Sequence, residues 1–351
     1  MKIQVKPYGN LPDGRQVDIY TMENSGGMSV SVITFGGVIT NLLVPDKQGN
    51  LADVVLAHQG LDCYLKNPGC FGAMVGRNSN RIGNARIEIK GKQYALTANS
   101  GKNNLHGGPK GMIFRLFDAD VRCVNGEPVL LLKHTINDMD DEFPGQLDVS
   151  ITLTLTNDNS LVIDYRAVSD KDTIINLTNH SYFNLAGHGC GDILGHTLEM
   201  NADFYTPATP ECLPTGEILS VAGTAFDFRN AKLIGKDIGG ECPQLKMFGG
   251  YDHNFMLGGS GYRKIATLSD PASGRNMAAY TDLPCVQLYT ANNLSASVIG
   301  KDGAAYRKHG GVCLETQTCP NAAQMPWLVS PIYAAGQEYI STTAYQFDWQ
   351  V

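Results

Sequence analysis

The strongest constraint on the fold is a stretch of strict two-residue alternation. In Ser150-Ile-Thr-Leu-Thr-Leu-Thr156, threonines separate Ile151, Leu153 and Leu155. That period places all three on one side of an extended strand and cannot form one stripe of a helix. The turn-forming run Asn157-Asp-Asn-Ser160 comes next, followed by Leu161-Val-Ile-Asp-Tyr165. Together they predict a β-hairpin with one buried face.

Related patterns recur along the chain. Arg86 to Leu96 alternates around a turn at Gly91, and short strand-like runs cover Val129 to Lys133, His196 to Met200 and Ala278 to Thr281. No long amphipathic helix with caps stands out, while 39 glycines and 16 prolines punctuate the short runs. This pattern predicts an all-β fold, a large antiparallel β-sandwich, in preference to alternating strand and helix. With no linker-like composition and no fixed-period repeat, residues 1–351 read as a single domain.

Composition narrows the function. Hydrophobic residues at 43% supply a sizeable core, and 27 Lys and Arg against 34 Asp and Glu give a formal net charge of −7 without a basic run. Nucleic acid is therefore a poor partner, and no membrane-length apolar segment or signal core is present. The expected compartment is the cytoplasm. Nine cysteines without a Cys-x-x-Cys pair argue against a disulfide framework and a thiolate zinc site. The Asn-x-Ser/Thr matches at Asn176, Asn179 and Asn293 carry little weight without a secretion signal.

Several catalytic signatures are missing: the Gly-x-Ser-x-Gly elbow, the Gly-x-x-x-x-Gly-Lys-Ser/Thr phosphate loop and the Gly-x-Gly-x-x-Gly fingerprint. What remains are polar residues from distant segments: Asn80, Arg81, His106, His180, Asp252, Gln287 and Glu315. The two histidines lie in turn-rich polar company, suited to proton transfer on a small molecule. Glu315 sits among apolar neighbours, where a carboxylate without a purpose is costly.

Each candidate also has a structural reading. Arg81 fits an ordinary ion pair, Asp252 a turn anchor beside Gly249-Gly250, His106 a loop histidine bonded to backbone, and His180 a strand histidine in a polar network. Two histidines with a carboxylate also compose a possible metal site, although no short ligand spacing supports one.

Six ordered segments carry a resemblance: Val44-Pro-Asp-Lys-Gln-Gly-Asn-Leu-Ala-Asp-Val-Val-Leu56, Gly76-Arg-Asn-Ser-Asn-Arg-Ile-Gly-Asn-Ala85, Asn104-Leu-His-Gly-Gly108, Leu177-Thr-Asn-His-Ser-Tyr-Phe-Asn-Leu-Ala-Gly187, Tyr251-Asp-His-Asn-Phe255 and Gly311-Val-Cys-Leu-Glu-Thr-Gln317. Over essentially its whole length the chain resembles the aldose 1-epimerases, or galactose mutarotases. The resemblance implies a galactose-mutarotase-type supersandwich and cofactor-free, metal-free interconversion of the α and β anomers of free hexoses such as galactose and glucose. It also implies a monomer or homodimer with a small aldose as partner.

By motif position, His180 would be the general acid and Glu315, ionised, the general base. Asn80, Arg81, His106, Asp252 and Gln287 would hold sugar oxygens, with Tyr182 lining the pocket. A carboxylate and an imidazole in one site are expected to favour their charged states. The chain departs from many relatives at Thr318-Cys319-Pro320-Asn321, which bears on substrate preference or loop packing. Competing readings are a hexose-6-phosphate epimerase, with Arg77 and Arg81 available for the phosphate, and a non-catalytic carbohydrate-binding module.

Overall fold

The computed structural model describes residues 2–349, and the single-domain expectation at Met1, Gln350 and Val351 lies outside them. Strands make up about 46% of the chain and helix about 8%, and the longest helix is Pro243–Phe248. The fold is all-β and its strand pairs are antiparallel. No helix among the described residues is long and apolar enough to cross a membrane.

The hairpin read from sequence forms the middle of the largest sheet. Leu147–Leu155 pairs with Ser160–Ser169, with Ile151 opposite Tyr165 and Leu153 opposite Ile163. The odd residues from Leu147 to Leu155 are buried and the residues between them face outward. Each fully buried aliphatic side chain contributes about 1.5–3 kcal/mol, so slipping the register by one residue would turn the whole apolar set to solvent.

Nine strands form this sheet, in the order Asp118–Val124, Glu127–Ile136, Leu147–Leu155, Ser160–Ser169, Glu338–Trp349, Arg275–Thr281, Arg263–Ser269, Thr197–Met200 and Lys232–Leu233. The last strand of the chain thus joins its two halves. A second sheet of five strands follows chain order from Lys2–Asn10 to Leu51–Asp53. Arg86–Ile89 and Lys92–Ala95 form the smaller hairpin around Gly91.

A third sheet positions the site, in the order Leu219–Ser220, Ala202–Thr206, Asp252–Leu257, Cys285–Tyr289 and Cys313–Gln317. Its sequence alternates as a half-buried strand requires. Phe255, Val286, Leu288 and Leu314 enter the main core, together with Ile151, Ile163 and Tyr345 of the large sheet. Tyr345 Oη donates to Leu314 O at 3.0 Å and fastens the two layers together. The main core runs from Met22 to Phe347.

Candidate active site

The other face of the third sheet carries the polar residues. Gln287 lies opposite Asn254 on one side and Glu315 on the other, with Asp252 two residues before Asn254. Two-residue periodicity therefore brings Asp252, Gln287 and Glu315 to one surface although 63 positions separate the first from the last.

His180 comes from a different element. It follows Thr178–Asn179, which pairs with Met74–Val75. Its main chain is fixed by His180 N–H donating to Ala73 O and Gly72 N–H donating to His180 O, both at 2.9 Å. Asn80, Arg81 and His106 arrive on a third support, where Arg81 pairs with Leu105 across two short strands. Gly107 follows at φ +80°, and a Cβ there would stand 2.2 Å from Gly76 O. Only glycine lets the His106 turn approach the Arg77 segment so closely.

These three supports meet around a cleft of about 250 Å³, near the lower end of small-molecule sites at ~300–1,000 Å³. All eight residues singled out from sequence line it: Asn80, Arg81, His106, His180, Tyr182, Asp252, Gln287 and Glu315. Cys70, Phe71, Tyr289 and Leu294 line it too, and sequence reading missed them. Tyr289 had a usable signal, since it lies two residues beyond Gln287 on the same strand face. Cys70 and Phe71 come from a turn that offers no periodicity.

At the centre, His180 Nε2 faces Glu315 Oε1 at 3.6 Å. Both side chains are almost wholly buried, and among the described residues Glu315 Oε2 has no hydrogen-bond partner. Burial pushes the Glu315 carboxyl up to about 8, helped by the Asp252 charge and opposed by Arg81. Burial likewise pushes His180 down to about 4. The expected carboxylate and imidazolium are therefore not the resting pair, because loss of water costs each charge more than the partner returns. Near neutral pH the pair holds one proton, on Glu315, and the charged form is its tautomer with the same proton count.

His106 is a neutral donor. Its Nδ1 accepts the main-chain N–H of Asn80 at 3.2 Å, which leaves the ring proton on Nε2. Burial holds it well below the usual imidazole range, with His180 and Arg81 adding to the effect. Its backbone bond fits the loop-histidine reading, yet its ring packs edge-on to His180 at 5.3 Å inside the cleft. The same bond bears on metal binding. His106, His180 and Glu315 offer atoms within 4.8 Å of one another, but a protonated Nε2 is no ligand, and two donors remain.

Asp252 anchors no turn among the described residues. Its Oδ1 accepts from Gln287 Nε2 at 2.7 Å, and Gln287 Oε1 accepts from Gln317 Nε2 at 3.3 Å. Burial raises the Asp252 carboxyl while Arg81 and Gln287 draw it back. Asn80 Oδ1 accepts from the Arg81 N–H at 2.8 Å, leaving the Asn80 amide donor for the cleft. Tyr182 stacks on His180 at 5.0 Å and donates its hydroxyl to Gly69 O, so it acts as a wall.

Arg77 does not reach the cleft. It is fully buried, paired with Asp141 at 3.0 Å, and donates to Pro144 O, Gly145 O and Thr173 Oγ1. Among the described cleft residues Arg81 is the one guanidinium, and no lysine joins it. The departure at residues 318–321 braces that arginine: Asn321 N–H donates to Arg81 O at 3.1 Å, and Asn321 Oδ1 accepts from Gly83 N–H at 2.9 Å.

Comparison with known proteins gives the family and agrees with the all-β fold. The aldose 1-epimerase family model matches residues 18–346. Galactose mutarotase of Bos taurus is 40% identical over 97% of each chain, and aldose 1-epimerase of Escherichia coli K12 is 34% identical over 96% of each. The crystal structure of galactose 1-epimerase from Lactobacillus acidophilus superposes with a TM-score of 0.88 at 28% identity, covering 100% of this chain and 99% of that one. Matches of this length, over the same fold, make the chain a member of the aldose 1-epimerase family.

Proposed function

We propose that this enzyme interconverts the α and β anomers of free hexoses such as galactose and glucose, with Glu315 and His180 exchanging one proton through the sugar. The observation that carries the reading is the buried pair at 3.6 Å with an unpartnered Glu315 oxygen. Both residues line the cleft, so a sugar bound there meets the acid and the base together.

Ring opening starts from the charged tautomer. Glu315 takes the proton of the C1 hydroxyl, the O1 electrons form the aldehyde, and the bond from C1 to the ring oxygen breaks as His180 Nε2 protonates that oxygen. The pair is then neutral, the state burial favours, so the site stabilises the opened sugar. Rotation about C1–C2 presents the other carbonyl face. In reclosure His180 takes the hydroxyl proton and Glu315 returns one to the carbonyl oxygen, giving the opposite anomer and restoring the charged pair.

The His106 Nε2–H and the Arg81 guanidinium stabilise negative charge on oxygen during opening. Asn80, Asp252 and Gln287 hold sugar hydroxyls. Both proton transfers use side chains, so the reading requires neither metal nor cofactor. A single arginine beside Asp252 and Glu315 suits an uncharged sugar better than a 6-phosphate dianion. The same reading sets the enzyme in the cytoplasm as a single-domain monomer or homodimer, without nucleic-acid or membrane partners. The core joining Met22 to Phe347 and the net charge of −7 support it.

Polarimetry of fresh α-D-galactose and α-D-glucose in chelator tests the activity. Faster approach to the same final rotation is expected, with weaker competition by glucose 6-phosphate than by galactose. An unchanged rate with folded protein would favour a binding module, and loss of rate on chelation a metal site.

A further inference from the structure

The Gln287 amide is held from both ends. Its Nε2 donates to Asp252 Oδ1 at 2.7 Å, and its Oε1 accepts from Gln317 Nε2 at 3.3 Å. Gln317 Nε2 also donates to Asn254 Oδ1 at 3.1 Å, and Asn254 Nδ2 donates to Cys319 Sγ at 3.5 Å. Gln287 lies opposite Asn254 and Glu315, and Gln317 opposite Cys285, so two-residue periodicity sets Asp252, Asn254, Gln287 and Gln317 on one face of the third sheet. Asp252 and Gln287 line the cleft, while Asn254 and Gln317 lie buried behind them.

This run of hydrogen bonds has one polarity, and the carboxylate sets it. Arg81 and the Gln287 bond favour the charged form of Asp252 against burial, and an ionised carboxylate only accepts. Gln287 must therefore turn its NH2 to Asp252, which leaves its carbonyl facing Gln317. Gln317 must in turn offer its NH2, and Asn254 its carbonyl, so the Asn254 NH2 falls on the Cys319 sulfur, a weak acceptor. Reversing any one amide would set like groups against each other in a buried space, which costs more than one hydrogen bond returns.

Gln317 gives two hydrogen bonds and receives none, since its Oε1 has no partner among the described residues. It serves this face as a double donor. The far end of the run closes on protein: Thr206 and Cys285 lie against the Cys319 sulfur, within a small apolar cluster that includes Ala322. The near end opens on the cleft, where no hydrogen bond among the described residues holds Asp252 Oδ2 or the second Nε2 hydrogen of Gln287.

We propose that Gln317 is a positioning residue for sugar binding: by holding the Gln287 carbonyl it keeps one Nε2 hydrogen of Gln287 on Asp252 and leaves the other beside Asp252 Oδ2, a donor and an acceptor for a sugar hydroxyl. The proposal rests on the reading above that Asp252 and Gln287 hold sugar hydroxyls. It assigns nothing to the proton transfers, so its effect falls on affinity. It also gives the departure at residues 318–321 a route to the sugar, from Cys319 through Asn254 and Gln317 to Gln287.

The test measures galactose affinity by calorimetry and turnover by polarimetry in wild type, Gln317→Met, Asp252→Asn and the double variant. Methionine keeps an unbranched chain and removes both donors. Gln317→Met should weaken galactose binding roughly three- to tenfold, the range of one hydrogen bond, with kcat within about twofold. An asparagine at 252 accepts or donates and no longer dictates the polarity, so in that background the same change should weaken binding less than about twofold. Equal losses in the two backgrounds, a fall in kcat as large as the loss of affinity, or unchanged affinity in Gln317→Met would each overturn the proposal.

Wild-type spectra decide it without any variant having to fold. A coupling across the hydrogen bond should link Gln317 Nε2 to the side-chain carbonyl carbon of Gln287. The opposite coupling, from Gln287 Nε2 to the Gln317 carbonyl, would overturn the proposal. A wild type that binds galactose without turning it over would instead overturn the acid–base reading, and the affinities would still decide for or against Gln317.

Discussion

Two buried ionisable pairs lie within one fold and have opposite character. Arg77 and Asp141 meet at 3.0 Å, both fully buried, and the guanidinium is further tied to Pro144 O, Gly145 O and Thr173 Oγ1. His180 and Glu315 stand 3.6 Å apart with one carboxylate oxygen unpartnered. The first pair lies away from the cleft and braces the molecule, although Arg77 Nη2 makes no hydrogen bond among the described residues beyond its ion pair with Asp141. The second lines the cleft, where a ligand can enter. Neither burial nor incomplete hydrogen bonding therefore marks function by itself; a titratable pair on the wall of a cleft does.

The comparison breaks first on substitution. Glu315→Gln and His180→Asn should each lower kcat by roughly 10²- to 10⁴-fold while the protein stays folded. Arg77→Ala should instead cost about 3–5 kcal/mol of stability by stranding Asp141, with near-normal activity per folded molecule. Denaturant melts and polarimetry on the same samples separate the two, and a Glu315→Gln protein that unfolds but keeps its activity when folded would reverse the assignments.

A smaller effect concerns stability against pH. With Glu315 raised to about 8, the folded protein holds a proton that the unfolded chain releases near 4.5, so this group lowers stability as pH rises between those values. His180, lowered to about 4, gives the opposite slope from there up to 6.5. Above pH 6.5 Glu315 acts without that opposition, and Glu315→Gln should gain up to about 2 kcal/mol over wild type by pH 8. Equal pH dependence in both proteins would mean that the carboxyl is not held protonated.

The smallest effect is expected at Arg81. Arg81→Lys keeps the charge but loses the planar fork, so KM for galactose should rise several-fold with a lesser change in kcat and no loss of stability. A stability loss like that of Arg77→Ala would place Arg81 with the structural pair.

Much of this was legible in the chain. The alternation from Ile151 to Leu155 predicts the central hairpin, and seven of the eight cleft residues lie in the ordered motifs, with Gln287 outside them. Sorting Arg77 from Arg81 was not legible, because four residues of separation say nothing about which guanidinium finds Asp141, 64 positions away. Nor was the resting charge of His180 and Glu315, since their desolvation depends on packing from several distant segments. Gln317 was visible only as part of a motif; its contact with Gln287 needs the third dimension.

The pH dependence of kcat/KM for galactose is the most direct test of the one-proton pair. The account predicts a bell with limbs near pH 4 and pH 8, since a second proton removes the base and loss of the only proton removes the acid. A single limb near 6.5, the ordinary imidazole value, with no fall by pH 9 would contradict it.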